Sequence, residues 1–150
     1  MEQYKNTKPL FAIVGMAKTN EKLSFTEGKV PDIIKISLHP YIAVYKEKKM
    51  ANTTIVVFFV DDNNREITNR LTFQMFFVFD KLPLELDGEN VKINDNDVIL
   101  SILDTTIGGL RTVLYEWLDG SELQNCLQPV DMEELYKQTQ VSFSNIKEKC

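Results

Sequence analysis

Two pairs of aspartates have a spacing that could support metal chemistry. Asp61–Asp62 and Asp95–Asp97 could each present carboxylate oxygens to a hard cation. Neither pair has the closing bidentate glutamate at the spacing that a calcium loop uses. The first pair fits a hairpin turn and the second fits a helix cap, so the sequence predicts no metal site.

The residues needed for nucleophilic or phosphate chemistry are scattered along the chain. His39 is the only histidine, and it stands beside Pro40 with no cysteine or second histidine near it. Cys126 lies between apolar residues and fits a small buried hydrophobe. Asp104 precedes two threonines inside a helical pattern and fits its polar edge. The six glycines form no phosphate-binding pattern, so we expect no enzyme and no cofactor.

The composition is that of one acidic globular domain. The 150 residues carry a formal net charge of -5, which disfavours nucleic acid as a partner. We expect a single domain over 1–150, with residues 1–9 and 138–150 as loose tails. No apolar run is long enough for a membrane span, and the first ten residues lack a signal core. The two cysteines form no disulfide framework, which favours a cytoplasmic location.

The segment Asp97–Gly120 is the longest stretch with a helical period, and the other elements must be arranged around it. Its apolar residues recur at steps of three and four and share one face: Ile99, Leu103, Ile107, Leu110, Leu114 and Trp117. Asp95, Asn96 or Asp97 can cap the start. Such a helix would be about 30–35 Å long and could lie across a small sheet.

Two glycines interrupt the middle of this predicted helix. Gly108 and Gly109 each lower helix stability by roughly 0.5–1 kcal/mol relative to alanine. They indicate either a tolerated kink or the close approach of another backbone. That backbone could belong to the chain's own sheet or to the same helix of a second subunit.

Four extended segments precede the helix, and a short helix follows it. The predicted strands are Leu10–Met16, Asp32–Lys46, Thr53–Val60 and Ile67–Phe79. Asp87-Gly88 hints at a small extra hairpin within 80–97, and Asp131 is an N-cap for a short helix from Met132. The order predicts an α+β fold. We expect a four-stranded antiparallel sheet with one long helix and a short C-terminal helix on one face.

The two central strands are apolar on both faces. Ile55, Val57 and Phe59 alternate with Val56, Phe58 and Val60. One helix can cover only one face, and leaving about 600 Å² of the other face in water would forgo roughly 15 kcal/mol. The cover could be a second subunit, which we favour, or apolar segments of a client polypeptide. Alternatively, segment 80–97 folds over that face and seals it.

Taken together, these elements resemble the SecB-like protein-export chaperones over roughly residues 10–137. The likeness rests on Phe11–Ile13 followed by Leu23–Glu27, on the strands Thr54–Val60 and Ile67–Phe79, on Gly109–Leu114, and on Leu123–Leu127 leading to Gln128–Asp131 and Leu135–Tyr136. The chain departs from the family in its longer segment 80–97. It also has a double glycine in the long helix and lacks the family's proline near the helix start.

The resemblance implies an ATP-independent holdase that binds unfolded or extended polypeptide clients for protein export. It implies a homotetramer built as a dimer of dimers, with Leu103, Ile107, Gly108, Gly109 and Leu114 at the oligomer interface. The implied client-binding groove comprises Leu23, Phe25, Tyr41, Leu123, Leu127, Val130, Leu135 and Tyr136. In the family an acidic sheet surface docks a translocase motor, for which Glu21, Glu27, Asp32 and Glu66 are candidates here.

Two other functions stay open from the sequence. A SecB-fold interaction protein could serve a single partner, as chaperones of antitoxins do. An unrelated α+β domain could instead enclose a small apolar ligand between helix and sheet.

Overall fold

A computed structural model describes residues 10–26, 33–118 and 130–144. The predicted loose segment 1–9 lies outside these residues. The described strands and α-helices are, in chain order, β1 (Phe11–Lys18), β2 (Ile34–Tyr45), β3 (Met50–Asp61), β4 (Leu71–Phe79), β5 (Leu84–Asp87), β6 (Asn90–Ile93), α1 (Asn96–Trp117), α2 (Met132–Gln138) and β7 (Gln140–Ser144). A turn of 3-10 helix, Lys46–Lys48, joins β2 to β3.

The main sheet has five described strands in the order β1-β4-β3-β2-β7. The first four are antiparallel, as the sequence predicts, whereas β7 pairs in parallel with β2. The fold is therefore α+β with a mixed sheet, and the prediction of a four-stranded antiparallel sheet is wrong. The prediction of a loose tail from 138 is also wrong for residues 140–144, because β2 pairs with them.

The helix α1 begins where the sequence predicts. Asp95 is its N-cap and accepts a hydrogen bond from the Val98 amide at 3.2 Å. The predicted apolar stripe is buried against the sheet from Ile99 to Trp117. On β3 and β4 the matching face consists of alternate residues: Ala51, Thr53, Ile55, Val57, Phe59, Leu71, Phe73, Met75, Phe77 and Phe79.

Segment 80–97 contains the extra hairpin that its turn residues suggest. β5 and β6 pair antiparallel around Gly88, whose φ of 68° is the left-handed value that glycine adopts without strain. Leu84 at its base is buried in the same cluster as Phe79 and Ile99. The hairpin therefore extends the core on the helix side and does not seal the opposite sheet face.

The short helix α2 packs beside the start of α1. Asp131 caps it by accepting from the Glu133 and Glu134 amides at 3.1 and 3.2 Å, as the sequence predicts. Leu135 is 4% exposed and joins the core cluster. One residue, Thr139, then connects α2 to β7.

Candidate functional site

The predicted oligomer interface on α1 is occupied by the chain's own sheet. Leu103, Ile107 and Leu114 are 0%, 3% and 3% exposed in the single chain. A side chain that is already removed from water within one subunit cannot gain further burial from a second one. The prediction that these residues form the subunit contact is therefore corrected: they are core residues.

The two helical glycines have different surroundings. A Cβ on Gly109 would lie 2.8 Å from both Met75 Cε and Phe73 Cζ, so the sheet approaches the helix too closely for a side chain there. A Cβ on Gly108 would meet no atom within 4 Å. Gly109 thus marks close contact between α1 and the sheet, and Gly108 is the one predicted interface residue that faces open space.

Part of the predicted client groove lies at the C-terminal end of α1. The Leu23 amide donates to the Trp117 carbonyl at 3.5 Å, and Phe25 forms a single bridge with Thr68. The Trp117 indole N–H donates to the Thr19 carbonyl at 2.9 Å and ties the segment after β1 to the same helix end. Leu23 and Phe25 are both half-buried at this position.

Another part of the predicted groove lies at the opposite end of α1. The Tyr136 hydroxyl donates to Asn96 Oδ1 at 2.6 Å, and partial burial raises the pKa of the Tyr136 phenol. At 1.5 Å per residue, the Asn96 and Trp117 ends of the helix are about 31 Å apart. Leu135 and Val130 accompany Tyr136 at the Asn96 end.

These positions do not form one continuous groove. Tyr41 lies on the sheet face away from α1, because its neighbour Ile42 is the residue that enters the core. Leu123 and Leu127 lie outside the described residues. The predicted groove therefore separates into two helix ends and one residue of the outer sheet face, and only Leu23 with Phe25 and Val130 with Leu135 and Tyr136 are brought together.

The outer sheet face is the face of the sheet opposite α1. Its central residues are Tyr41, Thr54, Val56, Phe58, Gln74, Phe76 and Val78. The described helices and the β5–β6 hairpin all pack on the other face. Tyr41 is 39% exposed, and Val56, Phe76 and Val78 are half-buried. Within the described residues this face has no covering element, but it is only partly apolar, because Asn52, Thr54 and Gln74 form a hydrogen-bonded polar row across its middle.

One end of the outer sheet face carries an aromatic and charged cluster around Phe58. The His39 ring stacks on Phe58 with centroids 5.1 Å apart, and the Arg70 guanidinium lies 4.7 Å from the Phe58 centroid. His39 Nε2 also lies 2.9 Å from the Ser37 hydroxyl. The only histidine of the chain therefore has a packing role on this face.

Glu66 is paired in this same cluster. Arg70 Nε and Nη2 bind its two carboxylate oxygens at 2.9 and 2.5 Å. The Arg70 hydrogen bond lowers the pKa of Glu66, and Glu66 in turn raises the pKa of Arg70. Of the predicted acidic docking residues, Glu66 is thus neutralised by a neighbour, and Glu27 and Asp32 lie outside the described residues.

The edge strand β1, together with Leu10 just before it, exposes several large apolar side chains that the sequence analysis assigned to no site. Leu10, Ile13, Val14 and Met16 are 60%, 50%, 54% and 64% exposed. In the described chain β1 pairs on one side only, with β4. The sequence of Leu10–Met16 did contain a signal for this surface, because the segment has no charged residue. An edge strand that faces water normally carries charged residues.

Ion binding and membrane crossing find no support in the described residues. No group of three or more metal-ligating side chains comes together there. Neither α1 nor α2 has the length and apolar character to cross a bilayer.

Comparison with solved structures found a distant structural likeness. The chain is similar to a solved structure of the Mycobacterium tuberculosis SecB-like chaperone in complex with a ChAD peptide from the HigA1 antitoxin. The TM-score is 0.45 and the sequence identity 11%, over 71% of this chain and 76% of that chain. No protein-family model and no curated protein matches the sequence. No family membership follows from this likeness.

Proposed function

We propose that this protein is an ATP-independent chaperone that binds unfolded polypeptides, acts in protein export from the cytoplasm, and works as a homotetramer. The observation that carries the proposal is that one face of the main sheet is covered by packed elements and the other is not. One face is filled by α1, whereas the outer sheet face and the β1 edge present apolar side chains without a cover in the described residues. Such surfaces are typical of sites for polypeptide partners.

The two uncovered surfaces suit different partners in this proposal. No described strand pairs with the outer side of β1 beside Ile13 and Met16, so a second subunit can add its own edge strand there. The outer sheet face offers the partly exposed apolar side chains of Tyr41, Val56 and Phe76 to client segments. The subunit contact is thereby moved from α1 to β1.

Docking to a translocase motor has less support than client binding. Its proposed basis is an acidic sheet surface, and the one such residue on the described sheet face, Glu66, is held by Arg70. A small apolar ligand between helix and sheet also has little room at the middle of the layer. There Gly109 contacts Phe73 and Met75, and the Thr53 and Thr106 hydroxyls meet.

The test is light scattering on the purified protein, alone and with a reduced, unfolded model client. We expect a tetramer near four times 17.3 kDa that takes up client without ATP. Uptake of several unrelated clients supports a general chaperone, whereas uptake of one only indicates a dedicated partner. A monomer that takes up no client contradicts the proposal.

A further inference from the structure

The two edges of the main sheet differ in how they end. At the β1 edge the described chain adds no further strand. At the opposite edge, β7 pairs with β2 and is the only parallel strand among the five described strands of the sheet. Its ladder runs from Tyr41–Gln140 to Tyr45–Ser144 and starts next to Pro40, which has no N–H to donate.

The contacts that hold β7 are few and generic. Val141 and Phe143 face the helix side and pack against the core, beside Ile42 and Val44. Gln140 and Ser142 lie on the other face and are exposed. The Gln140 and Ser142 side chains make no hydrogen bond within the described part of the chain. The edge therefore holds β7 through a backbone ladder and two apolar side chains at alternate positions, the same kinds of contact by which β-strand addition binds a peptide.

The attachment of β7 is weak compared with the central strands. It has five residues, parallel pairing is slightly less stable per residue than antiparallel pairing, and Thr139 alone joins it to α2. α2 itself has seven residues, fewer than a helix needs to persist without packing. Short elements with few buried contacts open more readily than the core of a domain.

We infer that the β2 edge, residues 41–45, is a binding site for an extended polypeptide segment with apolar side chains at two alternate positions. β7 is the intramolecular occupant of this site. A client segment displaces β7 and pairs with β2 as the new parallel strand, placing its two apolar side chains beside Ile42 and Val44. This inference rests on the proposed function and adds one specific client site to it.

The test uses the full chain and a fluorescent peptide with the β7 sequence Gln-Val-Ser-Phe-Ser. The double substitution Val141→Ser/Phe143→Ser removes the two side chains that hold β7 in place. We expect this variant to bind the peptide at least tenfold more tightly than the wild type in fluorescence anisotropy. The control Ser142→Ala, on the exposed side of β7, should bind as the wild type does. A peptide with serine at both apolar positions should not bind any variant.

A second measurement serves if the double variant does not fold. Hydrogen exchange of the wild type is followed with and without an unfolded client, and we expect the β7 amides to exchange faster with client while β2 stays protected. Unchanged β7 exchange, or equal peptide binding by all variants, overturns the inference. A concentration-dependent dimer whose β7 segments are exchanged, with no peptide binding, assigns the edge to a second copy and also overturns it.

The failure of this inference can be separated from failure of the proposed function. Client uptake in light scattering that is unaffected by Val141→Ser/Phe143→Ser leaves the chaperone proposal standing and overturns the β2 site. Conversely, peptide binding at the β2 edge without uptake of any unfolded client supports the site and contradicts the general chaperone.

Discussion

The Thr53 hydroxyl on β3 lies 2.5 Å from the Thr106 hydroxyl on α1, and both residues are completely buried. Thr106 also reaches the Ile102 carbonyl at 2.7 Å, and Thr53 lies 3.3 Å from the Met75 carbonyl. Each hydroxyl has one proton. Because the Ile102 carbonyl is the nearer of the two, we assign the Thr106 proton to Ile102 and the Thr53 proton to the Thr106 hydroxyl. This pair is a polar link between helix and sheet inside an otherwise apolar layer.

We expect the two threonines to be energetically coupled. Thr53→Val leaves Thr106 bonded to Ile102, and Thr106→Val lets Thr53 turn to the Met75 carbonyl, so each should lower the free energy of unfolding by about 1 kcal/mol. The double variant should lose less than the sum by about 0.5 kcal/mol or more. Urea unfolding of all four proteins gives the coupling energy. Thr105→Val, which removes a bond to Ser101 within α1, controls for the helix. Strict additivity would contradict the link.

Adjacent glycines on α1 should respond to alanine in opposite directions. Gly108→Ala should raise the free energy of unfolding by about 0.5–1 kcal/mol, because alanine favours the helix and its Cβ meets open space. Gly109→Ala should lower it by about 1–2 kcal/mol, because the buried Phe73 ring must move as well as the Met75 methyl. The urea concentrations at half-unfolding show whether the two substitutions change stability in opposite directions, and each variant is the control for the other. Equal shifts would show that the sheet yields without strain.

Stability should depend on acid through Asp61 at the β3–β4 turn. Its carboxylate accepts from the Arg65 and Asn63 amides at 3.0 and 2.8 Å and from Arg65 Nε at 3.1 Å. The hydrogen bond from the Arg65 amide is the largest of the effects that hold the pKa of the Asp61 carboxyl below its ordinary value. The ionised Asp61 carboxylate therefore contributes fully to the free energy of unfolding at pH values above its pKa in the unfolded chain, about 3.9. This contribution is lost as the pH falls through the lower pKa that Asp61 has in the folded protein.

The corresponding variant is Asp61→Asn. At about pH 7 it should melt below the wild type, and the difference should shrink as the pH is lowered to about 3, where the wild type loses the same contribution. Thermal unfolding followed by circular dichroism at both pH values measures this. Asp62→Asn, on the exposed neighbour, should leave the melting temperature nearly unchanged. A difference that stays constant with pH would exclude Asp61 as the source.

Charge on the β1 edge should weaken self-association. Ile13→Lys and Met16→Lys place a cation on the exposed apolar edge, where it opposes pairing with a second edge strand. We expect the mass from light scattering to fall by at least half at micromolar concentration. Leu86→Lys on β5 is the matched control, since Leu86 is 47% exposed and Ile13 is 50% exposed. An unchanged mass for the β1 variants would place the subunit contact elsewhere.

The elements defined by local signals could be predicted from the sequence. The helix α1 has a 3.6-residue period over 22 residues, and Asp95, Asp131 and Gly88 mark caps and a turn by their own chemistry. Each of these features depends on neighbours within a few residues. The strand β7 carried only a five-residue alternation, and its extended form depends on pairing with β2 almost a hundred residues earlier.

The predicted site residues agree less well with the structure than the predicted helices and turns do, because the sites depend on contacts between residues far apart in the chain. The stripe containing Leu103 and Leu114 is apolar whether it meets a second subunit or the chain's own sheet, so its composition could not separate the two. The groove residues Leu23 and Tyr136 were joined by a family resemblance. In the structure Leu23 lies at the Trp117 end of α1 and Tyr136 lies at the Asn96 end. The spacing of these residues along the chain does not indicate which end of the helix each one contacts.

Val14 interrupts the register of β1, because Ile13 pairs with Phe77 and Gly15 with the adjacent Phe76. An extra residue of this kind divides the open edge into two short ladders and increases the local twist. A flat strand from another molecule that pairs with the open side of β1 must either carry a matching bulge or stop pairing at Val14. We therefore expect the bulge to disfavour fibril growth from this apolar edge, while a partner with a matching bulge can still pair along the full strand.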